Sequence, residues 1–258
     1  MIAKSTTKPF SGNERNRLIA LALFSIAMGM LEAAVVVYLR KLFYSSGFDF
    51  PVSPIEDPII ALTEILREAA TLIMLLGIGY LYGRNFITRF AGFLFSFAVW
   101  DIFYYVFLKA LLNWPESLFT WDVLFLIPVT WVGPVLAPVL VSLTMILYAF
   151  VFIKADAISE RPNLKALQWI TILVSSSIIL LSFTLEPTAY ILSQNATSDL
   201  FNISTDQLFA AMQSYIPQKF NWWIFAAGEI GLLLGIGIYW KQLRIGNDYS
   251  IVQNRVCL

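Results

Sequence analysis

The chain has 258 residues, 59% of them hydrophobic and 13% charged, and its 17 Lys and Arg balance its 17 Asp and Glu. A soluble domain is about 45–50% apolar and about 25% charged, so this composition excludes a water-exposed globule, and zero net charge excludes a basic nucleic-acid-binding field. With no histidine and one cysteine, Cys257, the chain lacks an imidazole base, an internal disulfide and a thiolate metal cage; any metal would be a hard cation held by oxygens.

Six apolar stretches predict membrane spans near 18–39, 58–82, 86–109, 132–154, 165–185 and 222–240. Each is close to the roughly 20 helical residues that cross a hydrocarbon core. The expected fold is therefore all-α, a polytopic helical bundle forming a single integral membrane domain over residues 1–258. The first stretch follows Lys4, Lys8, Arg15 and Arg17 and runs from Leu18 to Tyr38. It exceeds the 7–15 residues of a signal-peptide core and contains Glu32, so it reads as a retained span.

Between the third and fourth spans the chain is apolar from Phe119 to Ile153, yet Pro128, Gly133, Pro134 and Pro138 interrupt it. Proline removes a helix donor and disfavours helix in the residue before it. The pattern predicts a broken or re-entrant half-helix, a turn around Thr130 to Gly133, and then span 4. Asp122 would open the half-helix, where a negative charge suits the dipole. Asp122 and Trp131 are candidates for a pocket rim, because irregular backbone at membrane depth survives only under protein or beside a cavity.

The longest loop, about 186–221, contains Ser204 and Gln207 as a capping box. It predicts a short helix with Leu208, Ala211, Met212 and Tyr215 along one side, lying on the outer leaflet or packed on the bundle. Span 6 carries Ala227, Gly231 and Gly235 at four-residue spacing. Such a stripe permits close helix approach inside the bundle, to a second copy or to a membrane-complex partner.

Orientation follows from the cations. With the N-terminus inside, Lys4, Lys8, Arg15, Arg17, Arg84, Arg89, Lys154, Arg161, Lys165, Lys241, Arg244 and Arg255 fall on the cytoplasmic side. Only Arg40, Lys41, Lys109 and Lys219 fall outside. The positive-inside bias predicts a multi-pass protein of the cell (inner or plasma) membrane with both termini cytoplasmic.

The functional candidates are ionisable groups within the spans, each costing about 2.5–3.5 kcal/mol on insertion scales. They are Glu32, Glu64, Arg67, Glu68, Asp101 and Glu229. At about 1.5 Å rise per residue, the five acids sit roughly 9–15 Å below the outer end of their spans. Glu64 and Glu68 share a helix face, and Arg67 neighbours it. Arg67 can neutralise one carboxylate bidentately but not five. Tyr105, one turn beyond Asp101, is placed to hydrogen-bond it; Tyr104 reads as part of an interfacial aromatic belt.

Three functions fit this pattern. One is an outward-facing acidic pocket that binds or translocates a cation, proton or small polar solute. Another is an accessory or structural subunit of a membrane complex. The third is a membrane-embedded metal-dependent enzyme acting on lipid, which has the weaker basis because the chain lacks histidine and a G-x-S-x-G motif.

Overall fold

Six helices follow the six apolar stretches in a computed structural model that describes residues 12–44, 47–53, 57–127, 129–158, 163–194 and 214–256. They are α1 (Gly12–Phe43), α2 (Pro58–Tyr82), α3 (Phe86–Leu112), α4 (Leu136–Ile158), α5 (Ala166–Gln194) and α6 (Trp222–Val256). Among them α1, α3, α4, α5 and residues Trp222–Leu243 of α6 are long and apolar enough to cross a membrane. The chain is a multi-pass integral membrane protein built as an all-α bundle. α2 is 25 residues long and carries the charged group Glu64, Arg67 and Glu68. The capping-box helix expected after Ser204 lies outside the described residues, except for its last positions.

Local signals account for the helix ends. Asp57 accepts the Ile59 N–H and Pro58 occupies the first turn of α2, where its missing donor costs nothing. Asn85 and Thr88 form a reciprocal capping box at the start of α3. Asn113, with φ 54°, ends α3 in the left-handed conformation that asparagine tolerates.

α3 is the hub, packing on α1, α2 and α4; α5 packs on α6, and α4 also reaches α6. Small residues make the approach close. A Cβ at Gly29 would lie 2.9 Å from the Trp100 carbonyl, and one at Gly79 would lie 2.6 Å from the Phe93 nitrogen. Buried hydroxyls bond within their own helices: Ser25 donates to Leu21 O at 2.8 Å and Ser96 to Gly92 O at 2.9 Å. That satisfies them where no water is present. Large apolar side chains such as Leu23, Leu31, Ile73, Leu81 and Leu234 stay exposed. Lipid is their natural surrounding.

The segment before α4 is broken, as its prolines require, but the expected half-helix is a β-hairpin. β1 (Trp121–Phe125) pairs antiparallel with β2 (Trp131–Pro134), matching Asp122 to Gly133 and Val123 to Val132, with an irregularity between Val123 and Phe125. Asp122 therefore lies in a strand and not at a helix start. Two further bonds, Val135 N–H to Thr120 O and Leu136 N–H to Leu118 O, continue the pairing toward α4. A two-stranded hairpin supplies cross-strand partners that a proline-interrupted helix lacks. Gly133 makes room for it: a Cβ there would lie 2.9 Å from the Phe183 ring.

The stripe on α6 is occupied inside the bundle. Gly231 faces Ser175 of α5, and Gly235 faces Tyr148 of α4 and Thr171 of α5. Gly228, outside the four-residue pattern, also abuts Ile179 and Ser175. Gly231 and Gly235 are thus taken by α4 and α5 and cannot also seat a partner; Ala227 alone of the three is exposed.

Gly79→Ala is expected to destabilise the bundle by about 1–3 kcal/mol, because helix backbone cannot yield as a side chain does. Gly77→Ala, which meets nothing within 4 Å, should leave stability unchanged or raised. Thermal unfolding of the two variants in detergent checks the contrast.

Candidate functional site

Three sets of polar contacts link the second half of α1, α2 and the hairpin. The first is on α2. Glu68 accepts the Leu126 N–H at 2.9 Å and the Ile127 N–H at 3.2 Å. The carboxylate thereby covers two amides of the hairpin turn that no strand partner reaches. The second lies one residue earlier. Arg67 donates through Nε and Nη2 to Glu64 Oε2 at 3.0 and 2.8 Å, and through Nη1 to Glu32 of α1. Thr71 adds a bond to Glu32 at 3.2 Å. Arg67 thus bridges two carboxylates rather than holding one bidentately.

The third set centres on Arg40, at the end of α1. Its Nη2 donates to Asp122 Oδ1 at 3.0 Å. Its guanidinium lies 3.6 Å from the Trp114 ring centroid and 4.3 Å from that of Phe48. Arg40 is 7% exposed and Asp122 2% exposed, so this ion pair is shut off from solvent. Tyr105 Oη donates to the other Asp122 oxygen at 3.3 Å. The expected Tyr105–Asp101 bond is replaced by this one. Ser142 of α4 occupies Asp101 at 2.8 Å, and β1 brings Asp122 within reach of the phenol. Beyond α1, the Tyr44 hydroxyl accepts the Ser53 N–H at 2.9 Å, and burial pushes its phenol above the ordinary range.

These groups surround one cavity of about 730 Å³, within the roughly 300–1,000 Å³ of small-molecule sites. Glu32, Glu64, Arg67, Glu68, Asp101, Tyr105, Asp122 and Trp131 all line it. Glu229 does not. It accepts the Thr144 hydroxyl at 2.7 Å between α6 and α4, and its other oxygen is buried without a partner. Trp131 stacks on Phe183 with a 9° interplanar angle, and its indole N–H is buried and unpartnered. Much of the remaining wall is aromatic, including Phe90, Phe93, Phe97, Trp100, Tyr104 and Phe125. Tyr104, expected in an interfacial belt, is therefore a wall residue.

Arg40 is the charged cavity residue, among the described ones, that the sequence does not single out. Its position at a span end places it on an outer flank. Nothing local marks it, because its ion-pair partner Asp122 and the Trp114 ring are distant in the chain. Among the described residues no three His, Cys, Asp or Glu side chains are grouped to hold a metal ion.

The chain matches no known protein family, no curated protein and no solved structure.

Removing one member of the Arg40–Asp122 pair leaves a buried charge unpaired. Arg40→Ala should lower stability by about 3–5 kcal/mol. In Arg40→Ala/Asp122→Asn the orphaned carboxylate is gone, so part of the loss should return. A double-mutant cycle by thermal unfolding measures this coupling.

Proposed function

We propose that this protein binds a cation-bearing solute inside the membrane, in a cavity that opens toward the outer face, and that transport is the use of such a site. The observation that carries the reading is a charge imbalance. Five carboxylates line the cavity (Glu32, Glu64, Glu68, Asp101 and Asp122) against two guanidinium groups (Arg40 and Arg67).

The pairings divide the five unequally. Glu32 and Glu64 share Arg67, and Asp122 has Arg40. Glu68 is held by backbone amides. Among the described residues Asp101 has only the Ser142 hydroxyl and no cation. A buried carboxylate without a counter-charge must take up a proton or receive a cation. Proton and cation therefore compete for Asp101, which is the elementary requirement for coupling the two. Aromatic walls add attraction for an organic cation through their ring faces. The outward direction rests on the positive-inside distribution of Lys and Arg.

Benzyltrimethylammonium is a suitable probe, being small, cationic and aromatic. Binding to the detergent-purified protein should be saturable by tryptophan fluorescence, since Trp100 and Trp131 line the cavity. It should release protons into a weakly buffered solution. Asp101→Asn should weaken it about thirtyfold or more, as truncating a buried charge partner costs about 2–5 kcal/mol. Equal affinity in wild type and Asp101→Asn, or no saturable binding, would sink the reading.

A further inference from the structure

The cavity is long and its two ends differ. On α3 its wall runs from Phe90 to Tyr105, about 22 Å at the helical rise. The charged groups gather at the Asp101 end. Below Asp101 the wall is apolar, formed by Phe90, Phe93 and Leu94 of α3 with Trp169, Ile172 and Leu173 of α5. From Asp101 to Phe90 is eleven residues, about 16 Å. One leaflet's hydrocarbon is about 15 Å deep, half of about 30 Å. The apolar limb is thus as long as a single lipid chain.

The cavity wall also reaches the lipid-facing surface. Ile65 of α2, beside the charged groups, is 38% exposed, and Leu173 of α5, beside the apolar limb, is 59% exposed, although both belong to the cavity wall. A molecule already in the bilayer reaches the cavity past such residues without crossing water.

The charged end lacks a counter-charge: among the described residues Asp101 holds the Ser142 hydroxyl and no cation. A head group carrying an amine answers that need.

We infer that the ligand is a single-chain amphiphile with an amine in its head, which enters from the bilayer and lays its chain down α3 with its head at Asp101. This rests on the reading of the cavity as a cation-accepting site and names the class of solute.

The test compares radiolabelled sphinganine, a long-chain amino alcohol, with octadecanol, stearate and benzyltrimethylammonium on the full-length protein in detergent. Sphinganine should bind saturably and more tightly than either long chain that lacks the amine. Ser176→Trp and Ile172→Trp fill the apolar limb from α5; two positions are used so that a folding defect at one does not decide the result. Each should weaken sphinganine about tenfold, the worth of roughly two buried methylenes, and leave benzyltrimethylammonium within about twofold. Asp101→Asn should weaken both. If the short cation binds through Asp101 while the filled variants still take sphinganine normally, or if octadecanol and stearate bind as well as sphinganine, this inference is overturned and the cation site stands. If neither amine binds, both fall.

Discussion

A polypeptide that leaves the helical path inside a bilayer has to find a partner for every exposed N–H and C=O, since lipid offers none. The hairpin of β1 and β2 is such a departure, and the bundle around it is arranged to answer it. The two strands satisfy part of their backbone against each other. The turn cannot, so Glu68 of α2 takes two of its amides. Arg40 of α1 holds β1 through Asp122, and α5 receives β2 against the Phe183 ring. Helices far apart in the chain are thus committed to one inserted element.

That commitment creates the cavity. The hairpin stands between α2 and α5 and supplies Asp122, Leu126 and Trp131 to the wall. Helices that support a wedge cannot also close on each other. Space remains beside α3, whose aromatic face lines it for several turns. The acidic groups near it therefore divide into two kinds. Glu68 and Asp122 hold the hairpin in place, and their charges are spent on protein groups. Among the described residues Asp101 holds only a neighbouring hydroxyl, and it lines the cavity.

The helices were legible because their signals are local. The apolar runs have the length of a crossing, and caps at Asp57, Asn85 and Asn113 fix helix ends in the structure. Common depth grouped Glu32, Glu64, Glu68, Asp101 and Glu229 as candidates but could not tell which of them share one space; the first four line the cavity and Glu229 does not. The hairpin was not. Proline and glycine announce a break, but a short apolar run beside a break reads equally as half-helix or strand. What decides it is the pair of side chains that meet it, Glu68 some 58 positions before Leu126 and Arg40 some 82 before Asp122. No window along the chain contains such a partner. Tyr105 failed for the same reason: its spacing to Asp101 was right, but Ser142 and Asp122 from other elements redirected both groups.

Glu229 makes the distinction between scaffold and site sharper. Like Asp101, it is an acid on an apolar helix, and like Asp101 it receives a hydroxyl from α4. The donors, Ser142 and Thr144, are two residues apart, and so point to nearly opposite sides of that helix, about 200° apart. One side faces α3 and the cavity; the other faces α6. The same chemistry therefore serves two purposes. On the α6 side the carboxyl joins two helices whose contact is also secured by the Tyr148 hydroxyl donating to Leu232 O at 2.8 Å. On the α3 side the carboxyl is left beside empty volume. Residue type and depth do not separate the two acids; the direction in which α4 offers its hydroxyl does.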